Sequence, residues 1–243
     1  MLKVLILSDI HGNFDALEAV MTHAGGFSWQ EIWFLGDLGG YGPEVDKCFH
    51  VLQSHSTLFL PGNHDLYYSG RLSRGFFSKE ARKALILSRD TIKKEYFDTM
   101  KVLPVFRKKK GVSMVHGSLI DPERDYILHE EDALQNFKLL KGQCCLFGHT
   151  HRQGCYLKEK DKLFWIRPED NEVVQYRRKK ILINPGSVGQ PRDHDPRAAW
   201  AILDTKAKEV QFFRTEYNIQ SVQRKMEALG SSEFLIRRLE SGM

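Results

Sequence analysis

Lys3-Val4-Leu5-Ile6-Leu7-Ser8-Asp9-Ile10-His11-Gly12-Asn13, residues 3–13, is the stretch that decides the fold. A short apolar run ends abruptly in a polar loop. Phe14, Leu17, Val20 and Met21 then recur at helical spacing, with Asn13 placed to cap the helix. The same unit comes twice more. Residues 32–35 run into Gly36-Asp37-Leu38-Gly39-Gly40, after which Pro43 opens a helix with Val45, Cys48, Phe49 and Leu52 on one face. Residues 57–60 run into Pro61-Gly62-Asn63-His64-Asp65. Strands alternating with helices predict a mainly parallel sheet in this half.

Further along, residues 66–100 read as helical and more polar, a cap or edge segment. Residues 105–107 and 112–115 read as a hairpin around Lys108-Lys109-Lys110-Gly111, ending in His116-Gly117-Ser118. A helix near residues 130–140 precedes a strand at 144–147, which ends in Gly148-His149-Thr150-His151. Strand patterns follow at 154–157, 163–166, 173–177, 181–183, 198–203 and 210–213. A helical tail with Ile219, Val222, Met226 and Leu229 on one face closes the chain. With no linker and no internal repeat, residues 1–243 read as one domain of two packed sheets with helices outside.

Composition narrows the function classes. A chain of 243 residues can bury a core without disulfides or a structural metal. Its 36 basic and 31 acidic residues leave a net charge of +5, which suits a phosphorylated ligand without demanding a polyanion. With 42% hydrophobic and 28% charged residues, wholesale disorder is excluded. The aliphatic run at residues 4–7 is too short for a signal peptide or a membrane span. Cys48, Cys144, Cys145 and Cys155 show no CxxC spacing and read as reduced thiols, so a cytoplasmic protein is expected.

Chemistry-bearing residues fall at strand ends, where open α/β sheets bind ligands and where glycines allow close backbone approach. Five such ends deliver Asp9, His11, Asp37, Asn63, His64, His116, His149 and His151 to what would be one rim. His23, His50, His55 and His129 lie outside the pattern and read as ordinary surface or core histidines, while His194 stays open. Imidazole and carboxylate without thiolate suit Mn, Fe, Zn, Ni or Co. So many donors exceed the needs of one catalytic ion with an open position. They suit two ions about 3.5–4 Å apart that share a carboxylate. Two dications against two carboxylates leave a site charge of about +2, which favours a phosphoryl group.

Together, Asp9-Ile10-His11, Gly36-Asp37, Gly62-Asn63-His64-Asp65, His116 after a strand and Gly148-His149-Thr150-His151 resemble the calcineurin-like metallophosphoesterase superfamily. The blocks occur in the family's order. Asn184-Pro185-Gly186-Ser187-Val188-Gly189-Gln190-Pro191-Arg192 extends the resemblance to its small prokaryotic phosphodiesterase and phosphatase branch, over at least residues 1–204. The resemblance implies an α/β fold, a four-layer αββα sandwich with two packed mixed β-sheets and flanking helices.

It also implies a ligand set. One ion would take Asp9, His11, Asp37 and His151, the other Asp37, Asn63, His116 and His149, with Asp37 as the bridge. His64 would donate to the leaving oxygen and Asp65 would orient its imidazole. The implied reaction is hydrolysis of a phosphodiester or phosphomonoester by in-line attack of a hydroxide bridging two divalent ions, of which manganese is one candidate. The partner would be a small phosphorylated substrate, nucleotides included.

Alternatives stay open at this point. One is a dinucleoside polyphosphate (Ap4A-type) hydrolase, in which Tyr41 would stack on a base instead of being a buried loop aromatic. Another is a non-catalytic scaffold of the same fold, against which the presence of His64 counts. A metal-dependent hydrolase of amides or other esters is a third, less suited to the site's charge. The arginine that protein-phosphatase branches carry ahead of the Asn-His motif is absent, since Leu60-Pro61-Gly62 stands there. Arg192 either supplies a substitute or is a surface arginine beside Asp193 and Asp195; with Asn63 it is the substrate-binding candidate. Ser187 reads as a turn residue, having no histidine at a nucleophile's spacing. The basic runs 108–110 and 177–180 fall where hairpin turns are expected, read as solvated turn charge, and lack the interleaved aromatics of a single-strand groove. RNA is chemically compatible with the site but nothing else supports it, and no membrane partner is expected.

Overall fold

The structure, a computed structural model, describes residues 2–243. Strand β1 (Lys3–Leu7) lies at the middle of a sheet whose parallel side continues through β2 (Glu31–Phe34) to β3 (Thr57–Phe59). Helices α1 (Phe14–Ala24) and α2 (Val45–Gln53) make the two crossovers, as the alternating pattern predicts. On the other side of β1 the sheet turns antiparallel through β11 (Ala198–Asp204), β12 (Glu209–Thr215) and β9 (Val173–Gln175).

The second sheet runs β4 (Phe106–Lys109), β5 (Val112–Val115), β6 (Cys144–Leu146), β10 (Lys180–Asn184), β7 (Gly154–Glu159) and β8 (Lys162–Ile166). Its β5, β6 and β10 are mutually parallel, and the remaining neighbours are antiparallel. Both sheets are therefore six-stranded and mixed.

Period-two side chains show how the layers stack. From β1, Val4 and Ile6 face the second sheet and join Trp33, Met114, Leu146 and Ile183 in the inter-sheet core. Leu5 and Leu7 face the opposite way, into a core with the helices. The outer face of the second sheet is covered by α6 (Glu130–Leu139), where Ala133 and Phe137 meet Cys145 and Leu182. These are the four layers expected. Strands buried on both faces explain the unbroken apolar runs. All four cysteines are buried with free thiols, and no helix among the described residues is long and apolar enough to cross a membrane.

Three local expectations are corrected. Helix α2 begins at Val45 with Glu44 at its N-cap, two residues after Pro43. Residues 177–180 do not form a hairpin turn, because β9 pairs with β12 and β10 with β6 and β7, so the basic run crosses between sheets. The tail is two helices, α7 (Ile219–Leu229) and α8 (Glu233–Ser241), divided where Gly230 takes a left-handed cap at φ 82°. The segment 66–100 holds α3 (Asn63–Tyr68), α4 (Lys79–Arg89) and α5 (Lys94–Val102), with a short 3-10 turn at Arg74–Phe76.

Candidate metal centre

The loops after β1, β2, β3, β5 and β6 meet at one edge where the two sheets join. Asp9 N–H donates to Gly36 O at 2.9 Å, Gly148 N–H to His116 O at 2.9 Å, and His149 N–H to Asp9 Oδ2 at 3.1 Å. The last bond ties one sheet's loops to the other's. Asp9, His11, Asp37, His149 and His151 all have positive φ, between 50° and 65°. Non-glycine residues visit that region rarely, and five together mark a backbone bent to aim side chains. Two glycines are needed for sheer proximity. A Cβ on Gly62 would lie 2.1 Å from Asp37 Oδ1, and one on Gly40 2.5 Å from both His11 Nδ1 and His64 Nδ1.

Donor atoms of Asp9, His11, Asp37 and His151 form one buried group, and those of Asp37, His116 and His149 a second, each within 4.8 Å. Asp37 belongs to both: its Oδ2 is 3.6 Å from His11 Nε2 and 3.5 Å from His116 Nε2. Asn63 Oδ1 is 3.2 Å from His116 Nε2, alongside the second group. His23, His50, His55, His129 and His194 lie outside both groups. His194 is exposed.

Ring orientation shows what the groups are built for. Nδ1 of His11, His116 and His151 meets the carbonyls of Gly39, Leu35 and Gln190 at 2.9, 2.9 and 2.6 Å. A carbonyl only accepts, so each Nδ1 carries a proton and each Nε2 turns inward as the atom available to a metal. The inward atoms crowd one another, with His11 Nε2 3.1 Å from His151 Nε2 and His116 Nε2 3.2 Å from His149 Nδ1. Asp9 Oδ1 is buried with no hydrogen-bond partner.

Charge leans the same way. Burial alone would raise the Asp9 and Asp37 carboxyls, yet His151 beside Asp9 and His116 beside Asp37 hold both below the usual carboxylate range. His116 rises to about 9 against burial, because Asp37 faces it. Burial keeps His11 and His149 neutral, well below the ordinary histidine value. Buried carboxylates and converging imidazoles, whose crowded charge is met only by a proton drawn onto His116, fit divalent cations that would take that proton's place.

The groups open onto a polar cavity of about 260 Å³ lined by Asn63, His64, Tyr126, His149, Arg192 and Arg238, among others. His64 packs edge-on to Phe77 at 5.2 Å, and its Nδ1 has no hydrogen-bond partner. The expectation that Asp65 orients His64 is not met. Asp65 instead accepts from the backbone N–H of Asp37, Leu38, Gly39 and Gly62 at 2.8, 3.0, 3.1 and 2.9 Å, and from the Tyr96 hydroxyl. Four converging backbone donors are a better partner for a buried carboxylate than one neutral imidazole. Asp65 is thus the anchor of the loop carrying Asp37.

Tyr41 is the buried loop aromatic and not a free base platform. It is 8% exposed, with ring centroids of His11 and His64 at 4.7 and 5.0 Å. Arg192 is no surface arginine paired with its neighbours: Asp193 binds Arg214, and Asp195 binds Arg197. The Ser187 hydroxyl donates to Asp9 O at 2.7 Å and accepts from Gln190 N–H at 2.8 Å, a turn residue as expected. Tyr126 and Arg238 lie outside the sequence-based set. Tyr126 stacks on His149 at 3.8 Å from a loop with no motif, and Arg238 comes from the last helix, where only amphipathicity is legible.

A sequence model of the calcineurin-like phosphoesterase superfamily domain matches residues 2–208. A metallophosphoesterase from Sphaerobacter thermophilus has a crystal structure that superposes with a TM-score of 0.88, at 35% identity, over 100% of this chain and 99% of that one. A curated protein of Methanocaldococcus jannaschii, named only as uncharacterized, is 30% identical over 98% of both chains. The symmetrical bis(5'-nucleosyl)-tetraphosphatase of Psychromonas ingrahamii is 30% identical over 120 residues, 47% of this chain and 43% of that protein.

Proposed function

The chain belongs to the calcineurin-like phosphoesterase superfamily, and we propose that it hydrolyses phosphodiester or phosphomonoester bonds with two divalent metal ions. The observation that carries this reading is the pair of buried donor groups sharing Asp37 beside a polar cavity. Asp9, His11, Asp37 and His151 would hold one ion, and Asp37, Asn63, His116 and His149 the other. When bound, such ions acidify water toward neutrality and stabilise charge on a phosphoryl group.

The chain's own residues would do the rest. Carbonyl-fixed tautomers keep the histidine donors aimed without reorganisation. Asp65 holds the Asp37 loop through four backbone donors. His64 would give the leaving oxygen its N–H, since its imidazole faces the cavity and Nδ1 is committed to no other group. Arg192 brings a positive charge to the cavity, where a phosphoester carries its negative one. Phe77 and Tyr126 wall the cavity with aromatic surface.

Dinucleoside polyphosphates are a second substrate reading, favoured by the partial similarity to the tetraphosphatase of Psychromonas ingrahamii. Turnover of p-nitrophenyl phosphate and bis-p-nitrophenyl phosphate, after stripping metal and restoring Mn, Ni, Co, Zn or Mg, tests the main reading. Metal-dependent turnover is expected, with His64→Ala keeping metal and losing about 10²–10⁴-fold in kcat. Absence of turnover with every metal, despite two ions bound per chain, would defeat it.

A further inference from the structure

The cavity beside the donor groups is closed in part by a residue from beyond the family-matched region 2–208. Arg238 lies on α8 and faces the same cavity as Arg192. Its position is built. Leu235, Ile236 and Leu239 bury one face of α8. Gly242 caps the helix at φ 63° and sits so close to the Asp195 backbone that a Cβ would come within 2.8 Å. His194 N–H donates to Gly242 O at 2.8 Å, which ties the helix end to the loop that carries Arg192.

The two guanidiniums converge without a side-chain carboxylate. Both donate to Gln190 Oε1, Arg192 at 2.7 Å and Arg238 at 3.4 Å. The remaining side-chain hydrogen bonds are Tyr41 Oη at 3.3 Å for Arg192 and, for Arg238 Nε, the main-chain oxygen of Met243, the last residue of the sequence, at 2.5 Å; Arg238 also lies over the Phe234 ring at 5.0 Å. Arg192 Nε and Gln190 Nε2 are buried donors with no partner. Two like charges in one partly buried wall repel; burial, with Arg192 adding to it, draws Arg238 down to about 10. An anion between the two guanidiniums would relieve the repulsion.

We infer that Arg192 and Arg238 bind a second anionic group of the substrate, next to the phosphoryl group being hydrolysed, and so select substrates with two neighbouring phosphoryl groups. The inference rests on the phosphoesterase reading for the first group. Tyr41 touches both sides of the cavity: its ring contacts His11 and His64 on the donor side, and Arg192 lies over it at 5.7 Å. Among the described residues, neither guanidinium is hydrogen-bonded to a side chain of the two donor groups. Both arginines line the cavity onto which the donor groups open, where an adjoining phosphoryl of a polyphosphate ester would meet them.

Calorimetric titration of the full-length, metal-loaded protein, with free metal held in excess, tests this. The probes are methylphosphonate, with one anionic group, and methylenediphosphonate, with two. The diphosphonate should bind at least about tenfold more tightly to the parent protein. Because a diphosphonate also chelates metal, the decisive reading is the change of that ratio on substitution. Arg238→Met should collapse it to about threefold or less, Arg192→Met should do the same, and Arg238→Lys should restore part of it. An unchanged ratio in a folded Arg238→Met protein overturns the inference, and so does equal weakening of both probes. A preference lost on substitution in a protein that hydrolyses no ester would uphold the anion site and fell the phosphoesterase reading. Ester turnover with no diphosphonate preference would do the reverse.

Discussion

The cradle that holds the donor atoms and the wall that faces them across the cavity are built on opposite principles. In the cradle, Asp9, His11, Asp37, His116, His149 and His151 are all at most 3% exposed, and most sit in left-handed backbone bonded to a neighbouring loop. In the wall, Phe76, Tyr126 and Arg238 are partly exposed and come from a 3-10 turn, a loop and the last helix. The cradle stores strain and fixes geometry, as a site must when its chemistry depends on aimed donors. The wall is made of ordinary surface elements, which can vary to suit different substrates.

The sharpest way to break this contrast is Asp37→Asn. Its Oδ2 lies 3.6 and 3.5 Å from histidine nitrogens of the two donor groups, so one substitution removes a charge from both. Loss of a ligand should exceed the roughly 10–100-fold cost of disturbing a ligand's support. Metal content should fall below one ion per chain, with turnover down by at least about 10³-fold. Two ions retained with turnover within tenfold would mean that the shared carboxylate is incidental.

Asp65→Asn separates strength of build from chemistry. An amide in place of the carboxylate turns its NH₂ toward backbone donors that now lack an acceptor. Each stranded buried donor costs about 1–3 kcal/mol. A loss of about 3 kcal/mol is expected, a fall in Tm of roughly 6–12 °C for a chain of this size. Phe76→Ala in the wall, at 37% exposure, should move Tm by no more than about 2 °C. Equal shifts in the two variants would erase the distinction between cradle and wall.

The same distinction explains what could be read before the structure. Cradle residues are local in sequence: Asp9 and His11 end β1, Asp37 ends β2, and each is announced by an apolar run that stops at a glycine-rich loop. Strand direction alone then sends them to one edge. The partner of Asp65 was not legible, because four backbone N–H groups leave no mark on residue identity. Nor was Arg238, where the α8 pattern records only which face is buried. Residues 177–180 misread as a hairpin turn because strand patterns carry no information about which sheet a strand joins. The second half's strands were recognised one by one, but their pairing is set by contacts far apart in the chain.

The smallest expected effect concerns how the C-terminal helices, which carry one side of the wall, are moored to the cradle's own helices. Lys225 on α7 reaches Asp15 in the first turn of α1 at 2.5 Å and Glu44, the N-cap of α2, at 2.7 Å. Burial would raise the Asp15 carboxyl, but the bonds from Lys225 and Ser221 lower it below its ordinary 3.8. Burial would lower Lys225, but Asp15 and Glu44 raise it above its ordinary 10.5. A depressed carboxyl stabilises the fold above its unfolded value and loses that contribution as pH falls through the folded value. A raised ammonium stabilises below its unfolded value and loses it as pH rises through the folded one. The mooring is therefore complete between 3.8 and 10.5 and fails on either side. With Lys225 a third exposed, solvent and salt screen the pair, so Lys225→Met should cost at most about 1 kcal/mol at neutral pH. The methionine keeps the aliphatic packing of the stem, leaving charge as the difference. Thermal unfolding of parent and variant across pH should show a gap of roughly 2–4 °C near pH 7 that shrinks in high salt and closes as pH falls below 3.8. A gap that persists at low pH would show that the helix pair is held to the cradle by packing alone, and that the wall is anchored more like the cradle than its exposure suggests.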